Sequence, residues 1–178
     1  YVIDVSQDRL YAAVDDEGRK LWDVSNKNTP LSLGGYDPGT ISFREVLAEG
    51  TTVYGLGWND GLHVMDATNA MSPVQIGFVT HTSLKGDLDK SGPYLWNGFG
   101  NVSYTRFDVS DPTMPSKTFM DVNIGDIEEI RTNGALAWIA AGDAGVITVD
   151  ASDPSNPIVL EQYATTTDVD TMALADDD

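Results

Sequence analysis

Four segments of this chain share one frame, and that repeat limits the possible folds more than any other feature. They are Asp23-Val24-Ser25-Asn26, Asp66-Ala67-Thr68-Asn69, Asp108-Val109-Ser110-Asp111 and Asp150-Ala151-Ser152-Asp153, with leading aspartates 43, 42 and 42 residues apart. Seven residues after each aspartate stands a proline: Pro30, Pro73, Pro115 or Pro157. Twelve before it stands a large aromatic: Tyr11, Tyr54, Trp96 or Trp138. Asp16, Asn59, Asn101 and Asp143 are also in phase, as are Gly18, Gly61, Ser103 and Gly145. A period of this length belongs to arrays in which each repeat is one supersecondary unit.

Within a repeat the pattern is strand after strand. In the fourth copy, 127–132, 135–141, 146–150 and 158–163 are short apolar, β-branched or aromatic runs. Asn133-Gly134, the 142–145 turn Gly-Asp-Ala-Gly and the stretch 153–157 separate them, all turn chemistry. No helical stripe of ten or more residues interrupts them. Four strands per repeat predict an all-β β-propeller with four blades of four antiparallel strands. The blades fall at about 1–38, 39–81, 82–123 and 124–166, and 167–175 reads as an extra strand. A β-sandwich is the alternative fold, but it requires no fixed period.

The in-phase residues then acquire physical roles, with the strands of a blade labelled A to D in chain order. Asx two before Gly predicts a tight B–C turn, because Asx bonds its own backbone and Gly accepts positive φ. Ser103 breaks this in the third copy and predicts a looser turn. The Asp-x-Ser/Thr-Asx group offers side-chain oxygens to nearby amides at the end of strand C. Tyr11, Tyr54, Trp96 and Trp138 should fill the space between blades, with Trp22, Met65, Phe107 and Val149 as a second layer.

The run Val-Asp-Ala-Ser-Asp-Pro-Ser-Asn-Pro at 149–157, after an aromatic-bearing strand and the Gly-Asp-Ala-Gly turn, resembles the LVIVD repeat. The likeness extends over four copies and is sharpest in the last; Asn26-Lys27 and Asn69-Ala70 stand where the first two lack Asp-Pro. It implies a propeller of the kind found in bacterial and archaeal surface or secreted proteins, and it carries no catalytic residues.

Composition narrows the function classes. The chain has 178 residues, 28 acidic against 10 basic, a net charge of −18 and a pI near 4.1. Such a field repels phosphate backbones and anionic headgroups, so no nucleic acid is expected as a partner. No apolar run approaches the ~20 residues of a membrane span. Without cysteine there is no disulfide, thiolate metal site or thiol nucleophile. The acid excess fits a salty or extracellular setting, where ions screen the repulsion. The chain opens at Tyr1 inside a strand-like run, so a mature or excised piece is expected. The extra strand leaves two readings: a fragment of a larger ring of six to eight blades, favoured because blade one already has its strand A, or four blades closed on themselves.

The B–C and D–A loops of a propeller gather on one face, the usual ligand face. Here the B–C turns carry Asp15, Asp16, Asn59, Asp60, Asn101 and Asp143, and the D–A connections carry Asp37, His81, Asp126 and Asp168. A ring of carboxylates could hold Ca²⁺ or a glycan; the plainer account is that Asx residues make turns and keep the surface acidic. No calcium-loop, nucleophile-elbow, Walker or zinc-helix motif is present. Tyr36 and Trp58 are the aromatics placed to stack on a sugar, His81 faces the same side, and His63 is expected to point outward from strand C of blade two. The candidate binding residues are therefore Asp16, Tyr36, Trp58, Asn59, Asp60, His81, Asn101 and Asp143.

The function expected is a secreted or cell-surface binding scaffold for a protein or glycan partner. The alternatives are a carboxylate-based propeller hydrolase or lyase, with or without assistance from Ca²⁺, and a purely structural segment of a larger surface protein. Self-association is expected through the end faces, lined by Tyr11 and Trp22 at one end and Trp138 and Val149 at the other.

Overall fold

The structure, a computed structural model, describes residues 2–14, 19–36, 39, 41–58, 60–81, 87–99, 103–121, 127–153 and 156–174. Among the described residues, sixteen strands form four four-stranded antiparallel sheets, each ordered as in the sequence. The first holds β1 (Val2–Ser6), β2 (Arg9–Ala13), β3 (Arg19–Asp23) and β4 (Leu31–Tyr36). The second holds β5 (Phe43–Glu49), β6 (Thr52–Gly57), β7 (Gly61–Asp66) and β8 (Val74–Thr80). The third holds β9 (Leu88–Ser91), β10 (Tyr94–Phe99), β11 (Ser103–Asp108) and β12 (Ser116–Asp121). The fourth holds β13 (Glu129–Asn133), β14 (Leu136–Ala140), β15 (Val146–Asp150) and β16 (Ile158–Tyr163). Each sheet is a propeller-type blade. Among the described residues no helix is long and apolar enough to cross a membrane.

Burial follows strand position. The middle strands β6 and β7 are buried at nearly every residue, on both faces. The outer strand β16 is exposed at all six positions. The register is set by the in-phase residues: Asp4 lies opposite Tyr11, Leu47 opposite Tyr54, Asp89 opposite Trp96 and Arg131 opposite Trp138.

The chain divides into two compact units, residues 1–84 with 111–115, and residues 85–110 with 116–178. In the first, Tyr11 packs with Val46, Val53, Met65 and Ala67. In the second, Trp96 packs with Ile130, Ala137, Val149 and Ala151. The two sets occupy the same repeat positions: one residue each from strands A, B and C, and the residue after C. An aromatic of one blade thus inserts into a socket on the next. Tyr11 and Val149 are fully buried in these cores, so they do not line the end faces as expected; β-strand alternation turns each of them toward the neighbouring blade.

Polar staples accompany the sockets. The Ala48 N–H donates to Asp4 Oδ2 (2.7 Å) and the Gly50 N–H to Ser6 Oγ (2.9 Å). In the second unit the Thr132 N–H donates to Asp89 Oδ2 (2.5 Å) and the Gly134 N–H to Ser91 Oγ (2.6 Å). The Asp-x-Ser of strand A in blades one and three therefore binds strand A of the following blade.

Residues 167–174 form no ladder, which differs from the extra strand expected there. A first strand takes its ladder from the second strand of its own blade, and none lies beside this segment among the described residues. It keeps the course of a next blade's first strand all the same. The Met172 N–H donates to Glu129, as Thr132 does to Asp89, and Val169 makes one antiparallel bridge to Gly142.

Candidate functional site

The turn after strand C is built alike in all four blades. Ser25, Thr68, Ser110 and Ser152 donate their N–H groups to Oδ1 of Asp23, Asp66, Asp108 and Asp150, at 2.8–2.9 Å. The side-chain and backbone hydrogen bonds from these residues hold all four carboxyls below their ordinary pKa. These aspartates are turn-makers, engaged with their own loops.

Of the eight candidate residues, Asp16, Asn59 and Asn101 lie outside the described residues, as do Asp15, Asp37 and Asp126. Tyr36 and Asp60 are linked through two residues that the sequence did not single out together. The Tyr36 hydroxyl donates to Gln75 Oε1 (3.1 Å), Gln75 Oε1 meets His63 Nδ1 (2.6 Å), and His63 Nε2 meets Asp60 Oδ2 (2.7 Å). His63 is 3% exposed, not outward-facing, because strand C of blade two is covered on both faces. Phe43 meets its ring edge-on at 5.1 Å and Phe78 lies at 4.8 Å. Both ring nitrogens are hydrogen-bonded within blade two, so the imidazole organises that sheet.

The other candidates separate. Trp58 is 38% exposed and stacks beneath the Arg44 guanidinium at 4.9 Å. His81 is buried, its N–H donating to the Asp60 carbonyl (3.0 Å), where a loop residue facing the ligand side was expected. Asp143 is exposed and hydrogen-bonds Asp168, which raises the Asp168 pKa together with the charges of Asp143, Asp170 and Glu128. That carboxyl pair lies on open surface. Among the described residues no three His, Asp or Glu side chains are grouped to hold a metal ion.

Among the described residues, two cavities lie at the opposite end of the blades, between A–B turns and C–D loops. In the first unit a cavity of about 370 Å³ is lined by Asp8, Arg9, Asp23 and Ser25, among others. The Arg9 guanidinium donates to the Ala67 carbonyl. In the second unit a cavity of about 150 Å³ is lined by Ser91, Pro93, Tyr94, Arg106, Gly134 and Ser152, among others. There Arg106 Nη1 donates to the Ala151 carbonyl (3.1 Å), the in-phase counterpart of Ala67, and the guanidinium lies 4.0 Å from the Tyr94 ring centre. The sequence hid this pairing because the two arginines come from different strands, so no position-by-position comparison aligns them.

The chain superposes on solved β-propeller-like structures at low identity. The computationally designed Ika8 protein matches with a TM-score of 0.76 and 13% identity, over 98% of this chain and 52% of that one. A chain of the mitotic checkpoint complex matches with a TM-score of 0.67 and 13% identity, over 93% of this chain and 51% of that one. The N-terminal domain of Nup159 matches with a TM-score of 0.59 and 10% identity, over 92% and 44%. The chain therefore spans about half the length of each of these structures. No curated protein sequence matches it. Residues 124–165, which contain β13–β16, match the family model described as the LVIVD repeat.

Proposed function

We propose that this chain is a run of blades from a larger propeller ring, acting outside the cell or at its surface as a binding scaffold, and that its blade-one face closes against another blade of the same kind. The carrying observation is the exposure of one repeat position. Ile3 is 62% exposed, whereas its in-phase counterparts Val46, Leu88 and Ile130 are 4%, 7% and 0% exposed. Val5, on the same face, is also open, and Trp22 in the same socket is half-buried. A socket that is filled by Tyr11 in blade two and by Trp96 in blade four is therefore empty in blade one. Covering Ile3 and Val5 is worth roughly 1.5–3 kcal/mol each, enough to favour pairing.

The solved structures about twice this length support a larger ring, and the acidic surface supports a salty setting. Sedimentation of the 178-residue chain across micromolar concentrations tests the reading. The chain is expected to associate, and Ile3→Asp is expected to weaken association by about tenfold or more, since ~1.4 kcal/mol corresponds to that factor. A strictly monomeric chain at high micromolar concentration, unchanged by the substitution, would contradict it.

A further inference from the structure

We propose that the cavity beside Arg106 binds a carboxylate group of a partner polypeptide. Arg106 is 6% exposed, yet none of the ion pairs among the described residues includes it. Its guanidinium has five N–H donors, and among the described residues it donates to the Ala151 carbonyl. Tyr94 stacks on its face at 4.0 Å, which leaves the planar edge as the part able to take a ligand. No acidic side chain lines this cavity; Asp108, whose carboxyl feels the Arg106 charge, lies outside it.

The first unit shows what the missing group is. There the cavity beside Arg9 is lined by Asp8 and Asp23. In the second unit Pro93 stands at the position of Asp8. Asp108, the counterpart of Asp23, has its pKa lowered first by the Ser110 N–H and hydroxyl and also by the charge of Arg106, but it does not line the cavity. Ser91 Oγ already accepts from Gly134, so its hydrogen is left to donate to a ligand oxygen. The Ser152 hydroxyl is spent on Asp150. A guanidinium edge with an adjacent hydroxyl fits a planar, doubly accepting carboxylate, and about 150 Å³ has room for that group.

The test is an NMR titration of the full chain with sodium acetate at constant ionic strength, balanced by chloride. Saturable shifts at the Arg106 side-chain N–H and at residues 91–94 are expected. Pro93→Asp restores the acid that the first unit carries, so it should keep the fold and weaken acetate binding about tenfold or more; Arg106→Lys should weaken it as well. Two alanine pentapeptides then identify the source. Binding of one with a free C-terminus assigns a chain end, and binding of an amidated one carrying a glutamate assigns an acidic side chain. Non-saturable shifts equal to those with chloride, or undiminished binding by folded Pro93→Asp, would overturn the proposal.

Discussion

A methyl group on Gly61 would sit 2.2 Å from the Val79 carbonyl oxygen, and at Gly145 it would sit 2.1 Å from that of Tyr163. Both glycines also have positive φ, +147° and +85°. The in-phase glycine is thus demanded twice over, by turn conformation and by the close approach of strand D. Gly61→Ala should destabilise the chain by about 1–3 kcal/mol, measured by urea unfolding. The aspartates that end strand C carry a second expectation. Their folded pKa values lie below the unfolded value near 3.9. They add stability that is fully present above that value and is lost as pH falls through the lower folded value. Asp168, raised by Asp143, acts in the opposite sense and gains as pH falls. The urea midpoint should hold steady from neutral pH to about 5 and drop below about 4. Asp66→Asn should make that drop shallower. These roles were readable in the sequence, because Asx-turn chemistry is local and depends on nothing beyond the next few residues.

At the scale of the element, strand A shows what local chemistry does not reveal. Asp4-x-Ser6 and Asp89-x-Ser91 hold amides of the following blade, yet blades two and four carry Leu47-x-Glu49 and Arg131-x-Asn133 in the same places. A feature shared by alternate copies is lost when all four are aligned together. The pattern after strand C alternates likewise: Val24 and Val109 follow the aspartate in blades one and three, Ala67 and Ala151 in blades two and four. Alanine there makes room for the incoming aromatic and leaves its carbonyl to an arginine. Asp89→Ala removes a charged acceptor from the Thr132 N–H and hydroxyl, and should cost about 1.5–3 kcal/mol. Lys90→Ala, one residue on, should stay within about 0.5 kcal/mol as a surface change. Comparing the two denaturation curves checks the staple. His63 was misplaced for a related reason: alternation tells which face of a strand a residue occupies, but in a blade both faces are covered.

For the whole molecule, strand number, blade order and the aromatic layer were legible because a period of repeats constrains every copy at once. What was not legible is which copies keep their socket uncovered, since that is a property of neighbours. Trp22 and Trp138 share their repeat positions with buried residues and are nevertheless half-buried, while Ile3 is open. The turns after strand C engage their own aspartates, and cavities form beside an arginine that spans two blades. The measurement closest to the central claim is amide hydrogen exchange on β1 and β5 as a function of protein concentration. The account predicts that protection of residues 2–6 rises with concentration while that of residues 43–49, whose socket Tyr11 already fills, stays constant. Protection of residues 2–6 that is independent of concentration up to high micromolar levels would contradict it.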